Sequence, residues 1–246
     1  MLRRAPSLTE QVKAHIKDLI VQGQFADGRV PAEMELAELL GVSRTTVREA
    51  LSRLEMEGAI SRKQGAGTFV NSPVLQIRSR LEEIWGYEAM LEAHGFTPST
   101  QLISVQHAGA DSSPFDEGTA DDLRLSPKEP LLLITKLFRE NDVPVIVTRN
   151  SIPEHLLTEP YTEQDLTRPI YDFLEHFSRQ RLAYYVTDIV PVVADEEMAG
   201  LLKVQPGVPL VSFDEIGYND NNEPIVKAHS YFRDDLLRLR LLRRRV

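Results

Sequence analysis

The stretch GVSRTTVREALSRLEMEG at residues 41–58 constrains the chain most, because it reads as a capped helix whose two faces carry different chemistry. Val47, Ala50, Leu51 and Leu54 recur at helical spacing and make an apolar stripe for a core. Ser43 stands where an N-cap belongs, and Gly58 where the helix should stop. Arg44, Thr45, Thr46 and Arg48 then fall in the first turns, where side chains and free backbone amides are placed to meet a phosphate or a base edge.

The flanks give that helix a context. Upstream, AEMELAELL at 32–40 is a shorter apolar-periodic run joined through Gly41-Val42, which makes a helix-turn-helix whose second helix suits a major groove. Downstream, strand-like pieces at Ile60–Arg62 and Thr68–Val70 flank Lys63-Gln64-Gly65-Ala66-Gly67, and the two glycines suit the tip of a hairpin wing. A first helix is expected from about Leu8 to Gln22, with Val12, Ile16, Leu19 and Ile20 on one face.

Together, residues 8–70 resemble the winged helix-turn-helix domain of the GntR family of bacterial transcriptional regulators. The resemblance rests on Gly28, Val30-Pro31-Ala32-Glu33, Glu35-Leu36-Ala37, GVSRTTVREAL and the closing Gly65, Gly67-Thr68-Phe69-Val70. It implies operator contacts from Ser43, Arg44, Thr45, Thr46 and Arg48, and from a wing made of Lys63, Gln64, Gly65 and Gly67. Some members carry Arg where this chain has Met34, so a phosphate contact there is expected to be missing.

The net charge of −9 looks unsuited to DNA until it is divided along the chain. Residues 1–70 hold 10 Lys and Arg against 9 Asp and Glu, and the remainder holds 18 against 28. The acidic excess therefore lies wholly in the second part. A first part near neutrality implies a few placed arginines, doubled by a homodimer, and no broad positive field. Zero cysteines exclude disulfides, thiolate metal sites and a cysteine nucleophile. No apolar run approaches a membrane span, and Met1-Leu2-Arg3-Arg4 leads into no signal core, so a cytoplasmic location is expected.

A proline directly after the wing marks a boundary: residues 1–72 are expected as the DNA-binding domain, 73–80 as a linker, and 81–246 as a second domain. Leu81, Ile84, Trp85, Met90 and Leu91 predict one helix ending at Gly95. From Phe96 the pattern turns to strands. Leu102–Gln106 alternates, Ala120–Leu125 reads as a short helix, and residues 127–153 read as two strands around an Asn141-Asp142 turn. After a helix near 169–178 the order returns, with a strand at Tyr184–Val193, a helix at Ala194–Leu202 and paired strands at 206–233. Pro127 and Pro206, Pro130 and Pro209, and Pro144 and Pro224 keep one offset to within a residue, which suggests an internal duplication. Two such halves would share one antiparallel sheet with helices on one side, leaving a ligand cleft where they meet.

This second half resembles the UTRA effector domain, the partner of GntR-type domains in the HutC subfamily, with a chorismate-lyase-like α+β fold. Gly95-Phe96, Pro98-Ser99, the Pro-x-x-Pro-Leu repeats, Pro169-Ile170-Tyr171 and Ser230-Tyr231-Phe232-Arg233 carry that resemblance. In members that sense phosphorylated amino sugars, the contact positions correspond here to Lys136, Phe138, Pro169, Tyr171, Val226 and Phe232. Four of the six replace charged or hydroxyl groups with apolar ones, and loss of an arginine at Phe138 argues against a dianionic phosphate. The expected effector is a small, partly apolar or aromatic molecule, such as a carboxylate paired with Lys136. Because a one-residue slip swaps the faces of a strand, Arg139, Arg149 or His229 would supply charge in the alternative register.

Asp214, Glu215, His229 and Tyr231 make a polar cluster that raises an enzyme or metabolite-binding alternative with a winged interaction module. The histidines lack metal-ligand spacing, and no nucleophile elbow or phosphate-cradling loop is present, so no catalytic residue, metal or cofactor is expected. The sequence thus predicts a transcriptional regulator, a repressor acting as a homodimer on palindromic double-stranded DNA and answering to a small-molecule effector.

Overall fold

The computed structural model describes residues 7–75, 86–115, 118–233, 235–236 and 239–242. The chain divides into two compact units, Met1–Arg80 with Arg240–Val246, and Leu81–Leu239.

In the first unit α1 (Leu8–Val21) starts at Ser7, whose hydroxyl accepts from the Glu10 amide at 3.3 Å. A two-residue strand β1 (Arg29–Val30) precedes α2 (Glu33–Leu40), which stops at Gly41 in the left-handed region at φ 63°. The turn after it places α3 (Arg44–Met56), whose N-cap Ser43 accepts from the Thr46 amide at 3.1 Å. Ile16 of α1, Leu36 of α2 and Val47, Ala50 and Leu54 of α3 are fully buried in one cluster, which fixes the angle at which α3 presents its opposite face. Strands β2 (Ile60–Lys63) and β3 (Gly67–Val70) form the wing, with β1 paired to the far edge of β3. Gly65 and Gly67, at φ 74° and 114°, take the conformations a side chain would strain. The wing strands follow the expectation; β1 was too short to show a period.

Beyond the wing, Ser72–Leu75 forms a helical turn, α4, with Val74 buried, where the sequence suggested a closing loop and an irregular linker from residue 73. The rest of that expected linker, and Leu81, Ile84 and Trp85 of the expected helix, lie outside the described residues. That helix needs correction in its second half. Gly86 is extended (φ −64°, ψ 139°), so α5 (Tyr87–Ala93) begins only after it.

The second unit is a six-stranded antiparallel sheet of β4 (Pro98–Gly109), β5 (Pro130–Glu140), β6 (Val143–Pro153), β7 (Leu182–Val193), β8 (Pro209–Asn219) and β9 (Pro224–Phe232) in the order β4-β5-β6-β9-β8-β7. The two expected hairpins, β5–β6 and β8–β9, meet at the β6–β9 pair in the middle, and each half adds one outer strand. Asn141 and Asp142 both have positive φ, as a tight two-residue hairpin requires.

Helices cover both faces, not one. α7 (Ile170–Phe177) and α5 lie on the face carrying Ile134 and Phe138, while α6 (Thr119–Asp122) and α8 (Glu196–Leu202) cover the face carrying Leu133 and Leu137. The reason is visible in β5, whose residues 131–138 are all buried; a strand apolar on both sides needs cover on both.

Candidate functional site

On the first unit the exposed face of α3 carries its basic residues beside one acid. Glu33, the first residue of α2, accepts from Arg44 Nε at 3.1 Å and from Arg48 Nη2 at 3.3 Å. Both guanidiniums remain more than half exposed, at 58% and 53%, so Glu33 aims them without hiding them. Burial alone would raise the Glu33 carboxyl, but the bonds from Arg44 and Arg48 hold it below its ordinary value. Thr46 Oγ1 lies 2.8 Å from Ser43 Oγ, which ties the cap side chains together, and Thr45 between them is exposed. Lys63 stacks over the Phe69 ring at 5.1 Å in the wing, and Gln64 and Gly65 are exposed at its tip. A Cβ at Gly67 would meet the Arg29 guanidinium at 3.3 Å, so that close approach depends on glycine. Met34, where the resemblance implied a missing phosphate contact, is 59% exposed. Arg62, passed over in the sequence, donates to Ser52 Oγ at 3.3 Å and tethers the wing to α3.

The second unit holds a cavity between the sheet and the starts of α5 and α7. Its floor is the face bearing Lys136 and Phe138 of β5, Thr148 and Asn150 of β6, Ser230 of β9 and Glu215 of β8. Gly86, Tyr87, Glu88 and Tyr171 close it from above, around about 480 Å³ of empty space that includes the open mouth. Of the expected effector residues, Lys136, Phe138 and Tyr171 reach this cavity together with Pro169.

His229 and Phe232 do not line it, which corrects their expected placement. His229 follows Ala228 by one residue, so it turns to the opposite face and sits 3.4 Å from Asp214. Phe232 is buried behind Tyr87, edge-on at 5.6 Å, and Val226 is fully buried in the core under α7. Arg149 also lies on the far face, paired with Glu197 at 2.7 Å, and Arg139 holds Gln101 at 2.7 Å, so the alternative register supplies neither arginine to the cavity. The polar cluster of the sequence is likewise split: Glu215 faces the cavity, while Asp214, Lys227 and His229 form an ion-pair group on the other face.

The cavity's polar chemistry is unusual for its burial. Lys136 is 2% exposed and donates to the Arg168 carbonyl at 2.5 Å. Burial lowers its ammonium to about 8, with Glu88 acting in the opposite direction. Glu215 is 9% exposed; burial raises its carboxyl to about 7 despite hydrogen bonds from Thr187 and Tyr87. Tyr87 Oη lies 2.7 Å from Ser230 Oγ, and its phenol is pushed well above its ordinary value by burial and by Glu215. Glu88 Oε1 accepts from Thr100 at 2.8 Å, whereas its buried Oε2 has no hydrogen-bond partner. Sequence reasoning missed Glu88 and Tyr87 because it ran one helix through Gly86, where a Cβ would meet the Tyr171 hydroxyl at 2.9 Å. Among the described residues no group of three or more His, Cys, Asp or Glu is placed to hold a metal ion, and no helix is long and apolar enough to cross a membrane.

Comparison with known proteins agrees with this architecture. Residues 8–70 match the family of bacterial regulatory proteins called gntR, and residues 93–238 match the UTRA domain. The chain is 31% identical over 228 residues to the HTH-type transcriptional repressor NagR of Bacillus subtilis, covering 93% of this chain and 89% of that protein. It is 32% identical over 203 residues to the histidine utilization repressor of Pseudomonas putida, covering 80% and 77%. In fold it is similar to the possible transcriptional regulator YydK of B. subtilis, with TM-score 0.71 and 16% identity over 96% of this chain and 99% of the other. PhnF of Mycobacterium smegmatis gives TM-score 0.59 with 23% identity over 95% and 99%. A winged helix-turn-helix followed by a UTRA domain, matched in that order along nearly the whole length of a relative, places the chain in the HutC subfamily of the GntR family of bacterial transcriptional regulators.

Proposed function

We propose that the protein is a repressor that binds a palindromic operator as a homodimer and releases or retains it according to a small molecule held in the cavity at Lys136. The observation that carries the reading is the pairing of two sites in one chain: an α3 whose Arg44 and Arg48 are exposed and aimed by Glu33, and a separate cavity lined by buried ionisable groups. Two relatives are named as repressors, which supports the sign of the regulation.

In this reading Arg44 and Arg48 exchange Glu33 for phosphates or base edges, Thr45 and Thr46 set the helix in the groove, and Lys63, Gln64, Gly65 and Gly67 follow the backbone beside it. Two-fold symmetry requires matching half-sites, roughly one helical turn apart or nearer. The homodimer is supported by β7, an unpaired sheet edge whose Val186, Ile189 and Val193 are each more than half exposed. Like other regulators of its family, the protein acts on DNA in the cytoplasm. Ligand in the cavity touches α5, the first described helix after the segment joining the units, and differential affinity of the ligand for two states supplies the coupling.

Gel shifts on a site selected from random duplexes test this. Arg44→Ala and Arg48→Ala are expected to abolish specific binding while ligand binding persists; retained operator affinity would sink the assignment.

A further inference from the structure

The ligand's charge can be read from the cavity, and this reading deepens the effector proposal on which it rests. Among the described residues one cation, Lys136, and two acids, Glu88 and Glu215, line the cavity, and no arginine does. Lys136 already spends one donor on the Arg168 carbonyl. A dianionic phosphate would find one ammonium and two carboxylates, a poor match for a group that needs several charge-assisted donors.

Of the two acids, Glu88 acts on Lys136, and Glu215 has no cation among its partners in the described residues. Glu88 Oε2 is buried without a hydrogen-bond partner, and Glu215 receives only the hydroxyls of Thr187, at 2.8 Å, and Tyr87. A buried carboxylate so placed is poised for a charged donor that the described residues do not supply to Glu215. Position adds the second constraint. Lys136 is on β5 and Glu215 on β8, with β6 and β9 between them, so their backbones stand about 14 Å apart at ~4.8 Å per strand. Phe138 and Tyr171 offer an aromatic wall in the space.

We infer that the ligand carries a protonated nitrogen held by Glu215 and, at its opposite end, a carboxylate held by Lys136, with an apolar or aromatic body between. It is an amino acid of the extended kind, with charges at its two ends, in contrast to an α-amino acid or a sugar phosphate. The raised carboxyl of Glu215 and lowered ammonium of Lys136 fit this, since burial disfavours both charges and an opposite charge at each end of a ligand would offset it.

Three probes of matched shape, 4-(aminomethyl)benzoate, 4-methylbenzoate and 4-methylbenzylamine, and one sugar phosphate, glucose 6-phosphate, decide it by titration calorimetry on the full chain. The doubly charged 4-(aminomethyl)benzoate should bind at least about tenfold tighter than 4-methylbenzoate, the worth of one charge-assisted bond. In Glu215→Gln that advantage should fall to threefold or less, and in Lys136→Met the advantage over 4-methylbenzylamine should fall alike. Tighter binding of 4-methylbenzoate or glucose 6-phosphate overturns the inference, as does an advantage unchanged in Glu215→Gln or no binding of any probe at 10 mM. Operator release, measured on the same samples, separates the two readings. A probe that obeys the charge rule and leaves operator affinity untouched removes the effector role alone.

Discussion

Replacing Glu215 with Gln should stabilise the unliganded protein, and only above a definite pH. The folded carboxyl is raised from 4.5 to about 7, chiefly by burial, so folding binds its proton more tightly than the unfolded chain does. Stability therefore falls as pH rises from 4.5 to about 7, and the cost is complete above that range. At 1.36 kcal/mol per pH unit the penalty is about 3 kcal/mol. Gln fills the same space and keeps an acceptor for Thr187 without carrying the charge. For a unit of this size the gain is worth roughly 5–10 °C in melting temperature. Lys136 works in the mirror sense. Its ammonium is lowered from 10.5 to about 8, so its penalty is present below pH 8 and is lifted as pH climbs toward 10.5. The two costs coincide near pH 7–8, where the empty cavity is least stable. Differential scanning calorimetry of the full chain should show Glu215→Gln melting with wild type at pH 4.5 and well above it at pH 8. A variant that melts below wild type at both pH values would refute the reasoning.

Other perturbations have separate readouts. Lys136→Ala should blunt effector response in a reporter assay with operator affinity unchanged in the absence of ligand; a normal response removes Lys136 from the site. Gly86→Ala drives a Cβ into the Tyr171 hydroxyl, so ligand affinity should drop about tenfold or more with the fold intact by circular dichroism. Glu33→Gln frees Arg44 and Arg48 from their shared acid and should raise affinity for random duplex severalfold while narrowing discrimination in competition gel shifts. Leu51→Ala empties the joint between α1 and α3 and should cost about 2–5 kcal/mol in denaturant unfolding.

The first unit was legible because its signals are local. The stripe Val47, Ala50, Leu51, Leu54 gave the buried face of α3 directly, and the wing glycines take the positive φ their position suggested. In the second unit the proline repeat gave the two hairpins and their shared sheet, because duplication is itself a sequence signal. Which residues share a face across different strands is not local. Asp214 and Glu215 are neighbours in sequence and lie on opposite sides of the sheet, and only the pairing of Asp214 with His229 and of Glu215 with Ala228 decides which of them faces the cavity. Lys136 was placed by resemblance, while Glu88 depended on the break at Gly86, which a periodicity search reads through. The sequence showed β7 as a strand without showing that it is an exposed edge: period and composition report a half-buried surface without saying what covers it.

The salt dependence of operator binding tests the central claim most directly. A dimer placing Arg44, Arg48 and Lys63 of each copy on phosphates should give log K against log salt a slope of about −5, at about −0.9 per phosphate neutralised. On random duplex, where binding survives the loss of specificity, Arg48→Ala should flatten the wild-type slope by about two, one contact per copy. Binding that stays nearly constant between 50 and 200 mM salt, or a slope unchanged in Arg48→Ala, would contradict the assignment of α3 as the element that reads DNA.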